Sequence, residues 1–272
     1  MDKKGRLRKN VGRFFNLNDF KMHKGKAIFY IILRAILICS LIFNLIRGHW
    51  ENSFTCILTL GLMFIPTFIE KQLKIELPTV MEVIVIGFVF AANFLGEIGS
   101  FYNKIPIWDS VLHTLNGFIC AGVGFGLIDI LNRNNKIKMN LSPTFVVLFS
   151  FCFSMTAGVV WEFFEFGMDS FFGTDMQKDA ILQTIHSYKI GNSGGINWIK
   201  DIKDVAINGK SIGNGYIDLG LIDTMKDLLL NFAGAIVFNT AGFFYLKTRK
   251  KKADFIENFI PVKINDEEKS AS

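Results

Sequence analysis

Three stretches of the chain carry polar residues at helical spacing: Asp109 with His113, Glu162 with Glu165, and Asp223 with Asp227 and Asn231. Residues three, four or eight apart share one helix face, so each stretch offers a single polar stripe. Aspartate, glutamate and neutral imidazole are the side chains with which helical bundles hold a divalent metal ion, and His113, Glu162, Glu165 and Asp227 form the candidate ligand set. Such an ion would neutralise the acids, activate a water molecule, or polarise a phosphoryl oxygen of a lipid headgroup. Protons or Lys226 are the other charges available to offset them. The spacing is not that of a zinc protease, because HExxH is absent, and no P-loop or GxGxxG sequence points to nucleotide chemistry.

Each of these residues also has a bland reading. Asp109 and Asp223 can serve helix N-termini, where a carboxylate meets free backbone amides. Glu97 and Asp169 fall at span ends, where water reaches them. His113, Glu162, Glu165, Asp227 and Asn231 lie too deep for capping, and their alternative is a hydrogen-bonded network between helices. Trp108 and Trp161 suit an interfacial aromatic belt.

The elements that must position these stripes are membrane spans. Of 272 residues 50% are hydrophobic and only 20% charged, with 29 Phe and a mean hydropathy of +0.34. An ordinary soluble core is excluded, since about a quarter of a soluble domain is charged. A bilayer crossing needs about 20 apolar residues. Blocks near 27–47, 53–69, 79–99, 108–131, 143–168 and 222–246 qualify. The expected fold is all-α, a polytopic membrane bundle of about six helices. The first block follows a long basic stretch and lacks a small-residue cleavage site, so it reads as an uncleaved anchor.

Charge supplies the topology. Residues 1–26 hold nine Lys/Arg against two Asp, and 247–252 hold five more; Lys71 and Lys74, then Arg133, Lys136 and Lys138, fall in the alternate loops. The positive-inside rule then puts both termini in the cytoplasm and the long segment 170–221 outside. Three parts are expected: a basic N-terminal segment 1–26, a membrane domain 27–246, and a cytoplasmic tail 247–272. Because the basic charge sits in the tails, the pI of 9.1 is no nucleic-acid signal; the lipid bilayer is the expected partner. In this topology Glu97, Asp109, His113, Glu162, Glu165, Asp169, Asp223 and Asp227 all fall at the outer ends of their helices, lining an acidic funnel open to the outside.

Segment 170–221 is expected to be ordered. Ile181, Leu182 and Ile185 predict a short surface helix over 177–188, and Asn208-Gly209 and Asn214-Gly215 predict tight turns between short strands. Gly191-Asn-Ser-Gly-Gly195 reads as a flexible turn. Both tails read as solvated, with Phe14, Phe15 and Phe20 able to rest on an anionic leaflet. Among residues nearer the cytoplasm, Asp129 can pair with Arg133, and Arg34 can face lipid phosphate or Glu82. Gly122, Gly126, Gly234 and Gly242 permit close helix approach. Cys39, Cys56, Cys120 and Cys152 all fall in spans and read as packing residues.

The ordered blocks Trp108-Asp109-x3-His113, Trp161-Glu162-x2-Glu165, Gly173-x3-Gln177-x-Asp179 and Asp223-x3-Asp227-x3-Asn231-x2-Gly234-Ala235 resemble those of the YjdF-like family of bacterial inner-membrane proteins. More distantly, the D-x3-H, Glu, D-x3-N-x2-GA order is similar to VanZ-like membrane proteins. The resemblance implies a multi-pass protein of the bacterial plasma membrane, supports Asp109, His113, Glu162, Glu165, Asp223, Asp227 and Asn231 as the working residues, and adds Gln177 and Asp179 as a cover over the funnel. Three functions remain open: a metal-dependent enzyme on a lipid-linked or amphiphilic envelope substrate, a small proton- or cation-coupled transporter, and a non-catalytic binding protein. The inner halves of the spans are nearly all apolar, which weighs against a transport path.

Overall fold

In hydrocarbon, a long apolar segment must satisfy its own backbone amides, and a helix does so within the segment. The computed structural model describes residues 17–73, 75–132, 141–191, 194–248, 256 and 259–263. Its helices are α1 (Leu17–Arg47), α2 (Trp50–Leu62), α3 (Ile65–Leu73), α4 (Thr79–Phe90), continued by a π-helical stretch Ala91–Ile98, α5 (Phe101–Lys104), α6 (Trp108–Asn132), α7 (Pro143–Phe172) and α8 (Leu221–Thr248). Six are long and apolar enough to cross a membrane, with α2 and α3 counted together and α4 counted with its π continuation. The break between α2 and α3 falls at Met63 and Phe64, just before Pro66. Helix α7 starts on Ser142, whose hydroxyl accepts from the Phe145 amide at 3.3 Å, with Pro143 in the first turn.

Helix α6 is central: 56% of its apolar window is enclosed by protein, against 17–33% in the other spans. Between helices in lipid, packing and hydrogen bonding replace the hydrophobic drive, and α6 uses both. A Cβ on Gly117 would lie 1.9 Å from the Asn231 carbonyl oxygen, and one on Gly234 would lie 1.9 Å from that of Thr114. The backbones of α6 and α8 therefore touch through two glycines. On the other side Ser150 and Ser154 of α7 donate to the carbonyls of Ala121 and Gly117, both at 2.7 Å. These buried hydroxyls, with Asn239 donating to Ala235 O at 2.9 Å, bond to backbone carbonyls within the bundle. Phe125, Phe238 and Phe259 fill the seam at the end away from the acids. A second cluster, Leu33, Leu37, Met63, Ile86 and Phe90, joins α1, α2 and α4, while residues such as Ile31, Ile46 and Phe68 point outward, as on a lipid-facing surface.

Several expectations change. The segment over 177–188 is not a helix: β2 (Ile181–Leu182) pairs antiparallel with β7 (Tyr216–Ile217), and β3 (Ile185–Ser187) with β4 (Asn197–Ile199). Remote partners supply the backbone bonds that a short isolated helix would lack. The turn expected at Asn208-Gly209, with φ of 51° and 78°, joins β5 (Val205–Ile207) to β6 (Lys210–Gly213), whereas the strand expected after Asn214-Gly215 pairs with β2 instead. The C-terminal part is not wholly solvated, since Ile256, Phe259 and Ile260 are buried in the core and β8 (Val262–Lys263) pairs with β1 (Ile75–Glu76). Lys26, not Arg34, takes Glu82 as its partner; the Arg34 guanidinium lies over Phe64 at 4.8 Å and Tyr30 at 5.9 Å. The basic residues before Leu17 with Phe14 and Phe15, Lys74, Arg133, Lys136, Lys138, Asn192, Ser193 and the run 249–252 lie outside the described residues.

Candidate functional site at one end of the helix bundle

The first turns of α6 and α8 and the last turns of α7 meet at one end of the bundle, and their polar stripes face one another. Nε2 of His113 lies 3.5 Å from Asp109 Oδ1, one turn away on α6, and 3.6 Å from Asp227 Oδ2 on α8. Donor atoms of Asp109, His113 and Asp227 all fall within 4.8 Å of one another. Nδ1 on the other edge of the ring lies 3.9 Å from Glu162 Oε1 on α7. Exposure is 8% for His113, 4% for Glu162, 7% for Glu165 and 1% for Asp227. Both carboxylate oxygens of Glu162 and Oδ1 of Asp227 are buried without a hydrogen bond, although Gln177 and Thr224 flank Glu162.

Glu165 and Asn231 are engaged elsewhere. Trp161 Nε1 donates to Glu165 Oε1 at 2.8 Å, so this tryptophan fixes an acid besides covering the surface. Asn231, one turn deeper than Asp227, accepts from Asn116 Nδ2 at 2.9 Å and donates to Ser154 O at 3.2 Å. It closes a three-helix network, with Gly158 leaving the space that its carboxamide occupies.

The segment between α7 and α8 is pinned over this end by carboxylates. Asp169 accepts from Thr174 Oγ1 and the Met176 amide at 2.7 Å and from the Gln177 amide at 2.8 Å. Asp223 accepts from the Lys178 amide at 3.0 Å, and Gln177 Nε2 donates to Thr224 Oγ1 at 2.6 Å. Asp218 accepts from the Ala180 amide at 2.8 Å and from the Ile222 amide at 2.7 Å, tying the loop to the head of α8. Burial would raise the Asp218 carboxyl, but the amides of Ala180, Ile222 and Gly220 outweigh it and hold the group below the usual aspartate range. Desolvation, and then the charges of Asp175, Asp218 and Asp169, raise the carboxyl of Asp179.

Two contributors escaped sequence reasoning. Lys178 brings its Nζ to 3.7 Å from Asp109 Oδ2 and 4.4 Å from the centroid of the Tyr102 ring. Tyr102, from α5, packs where Gly96 has no side chain. Burial, then the charges of Asp109, Glu97, Glu165 and Asp227, keep its phenol protonated well above the usual tyrosine range, so it can serve only as a neutral donor or acceptor. The signal for Lys178 was its place inside the Gly173–Asp179 block; nothing in the sequence pointed Tyr102 at the acids.

Chemically, the arrangement suits a small cation. Donor atoms on a tetrahedral ion with bonds of about 2.1 Å stand about 3.4 Å apart, close to the 3.5 and 3.6 Å separations around His113 Nε2. The carboxylate behind Nδ1 is placed as an orienting partner for a ligating histidine.

A family model described as a predicted membrane protein, DUF2238, matches residues 26–248. An uncharacterized protein of Thermotoga maritima is 29% identical over 139 residues, covering 51% of this chain and 69% of that one. No solved structure matches.

Proposed function

The chain belongs to the DUF2238 family of membrane proteins, and for this member we propose a divalent-metal-dependent enzyme of the bacterial plasma membrane, acting from the outer face on a lipid-linked or amphiphilic envelope substrate. Asp109, His113 and Asp227 are the ligands in this reading. Glu162 holds the imidazole from behind through Nδ1, and Glu165 stands by as a further carboxylate, with Gln177 at the rim. Asp223 and Asn231 position the loop and α8. The bound ion would polarise a substrate oxygen or activate water.

The observation that carries this reading is the orphaned Oδ1 of Asp227, 1% exposed, beside a histidine whose Nε2 faces two carboxylates. A buried carboxylate without partners is costly, and a cation between these donors removes that cost. The hydroxyls of Ser150 and Ser154 are bound to carbonyls, and the aromatic rings of Phe125 and Phe238 lie beyond them. That pattern favours a closed site at one end over a transport path through the bundle.

The test is the purified protein in nanodiscs, loaded with Zn²⁺, Mn²⁺ or Mg²⁺ and given a bacterial envelope lipid extract. Chelator-sensitive turnover that disappears in folded His113→Ala supports an enzyme. Metal binding without turnover of any lipid class would reduce it to a binding protein.

A further inference from the structure

The polar end of the bundle is not uniformly acidic, and two of its lysines stand beside the acids. Lys178 comes from the loop and Lys226 from the second turn of α8. Lys178 Nζ lies 3.7 Å from Asp109 Oδ2, and Lys226 Nζ lies 3.9 Å from Asp223 Oδ1. These separations exceed ordinary hydrogen-bond lengths, so the ammonium protons remain available. Their side chains are 36% and 47% exposed, whereas Asp109 and Asp223 beneath them are at 14% and 12%. The backbone, not the ammonium, anchors Lys178: its amide donates to Asp223, and its neighbour Gln177 is tied to Asp169 and Thr224. The Tyr102 ring supports the side chain from one face.

We propose that Lys178 and Lys226 form a cationic collar that binds the oxygens of a phosphate group and holds it against the metal centre of Asp109, His113 and Asp227. This rests on the metal-dependent reading above, and it narrows the substrate class to phosphorylated molecules. Lysine suits the task as a compact point charge with three donors. Without metal, the surrounding carboxylates repel phosphate, so binding requires the ion. With metal, the ion and the two ammoniums face a phosphate from two sides, the arrangement recurrent in phosphoryl chemistry.

Manganese provides the probe, because it broadens the ³¹P resonance of any phosphate held beside it. The full-length protein in phosphatidylcholine nanodiscs is titrated with Mn²⁺, then with inorganic phosphate; a parallel sample carries phosphatidic acid in the nanodisc. Broadening beyond that of empty nanodiscs at the same free Mn²⁺ supports the collar: in the phosphatidic acid arm it identifies a lipid headgroup as the source, and with inorganic phosphate it identifies a free anion. In Lys178→Ala/Lys226→Ala we expect phosphate affinity to fall roughly tenfold or more while Mn²⁺ binds several-fold tighter, since two repelling charges have gone. A merely structural role for the lysines would weaken both. Mn²⁺ binding with unchanged phosphate affinity in the double variant, or with no phosphate affinity in the wild type, overturns the collar and leaves the metal centre standing. Failure of Mn²⁺ and other divalent ions to bind overturns both.

Discussion

Asp227 on α8 presents Oδ2 to His113 Nε2 on α6 at 3.6 Å, while its other oxygen is buried without a hydrogen bond. The contact is possible because the two helices touch at Gly117 and Gly234, which brings the heads of α6 and α8 together at the end where both stripes begin. The site is thus a consequence of helix packing, and changes in packing should reach it.

Gly117→Ala tests that dependence. The new Cβ would meet the Asn231 carbonyl at 1.9 Å and must push the backbones apart, whereas a Cβ on Gly167 of α7 meets nothing within 4 Å. Overpacking of this kind costs about 1–3 kcal/mol. Thermal unfolding in detergent should show a clear loss for Gly117→Ala and almost none for Gly167→Ala; equal behaviour of the two would contradict the packing described.

Glu162→Gln tests the partner behind the imidazole. Glu162 Oε1 faces His113 Nδ1 at 3.9 Å, away from Nε2, and loss of such an orienting carboxylate usually weakens metal affinity by about 10–100-fold. Titration with Zn²⁺ should show weakened but measurable binding. Complete loss would make Glu162 a direct ligand.

Asp218 sets a pH dependence. Its carboxyl is held below the usual range when folded, so the stability it contributes is present above the unfolded aspartate value of about 3.9 and is lost as pH falls through the lower folded value. The melting temperature of Asp218→Asn should trail that of the wild type by a constant gap near neutrality, and the gap should narrow below about pH 4. A gap that widened on acidification would contradict the capping role.

Phe259 tests the docked C-terminal part. It is 1% exposed and meets Phe118 and Phe238 edge to face at 5.5 and 5.6 Å. Phe259→Ala should cost about 3 kcal/mol or more, as for other enclosed rings, read as a lowered melting temperature. A neutral substitution would return this part to solvent.

The spans were legible because an apolar block of bilayer length needs no partner to declare itself, and the stripes because 3.6-residue periodicity puts Asp109 with His113 and Asp223 with Asp227. What failed to show depends on residues far apart in the chain. Ile181 and Leu182 read as helical until Tyr216 and Ile217 supply the other strand. Lys178 reaches Asp109 across 69 positions, through a loop whose path is set by Asp169, Asp218 and Asp223. Ile256 and Phe259 stand among charged residues, a local pattern of a solvated tail, yet pack into the seam beside Phe238. Asp169 looked like an interfacial acid because two of its three partners are backbone amides, which leave no mark in side-chain patterning.

In the proposed metal centre one divalent ion sits among Asp109, His113 and Asp227. The most direct test is equilibrium dialysis of the purified protein against Zn²⁺, Mn²⁺ and Mg²⁺, with elemental analysis of the wild type and of folded Asp227→Asn. About one tightly held ion per chain is expected in the wild type, and its loss in the variant. A folded wild type that retains none of these ions, or an Asp227→Asn variant that retains as much as the wild type, would contradict it.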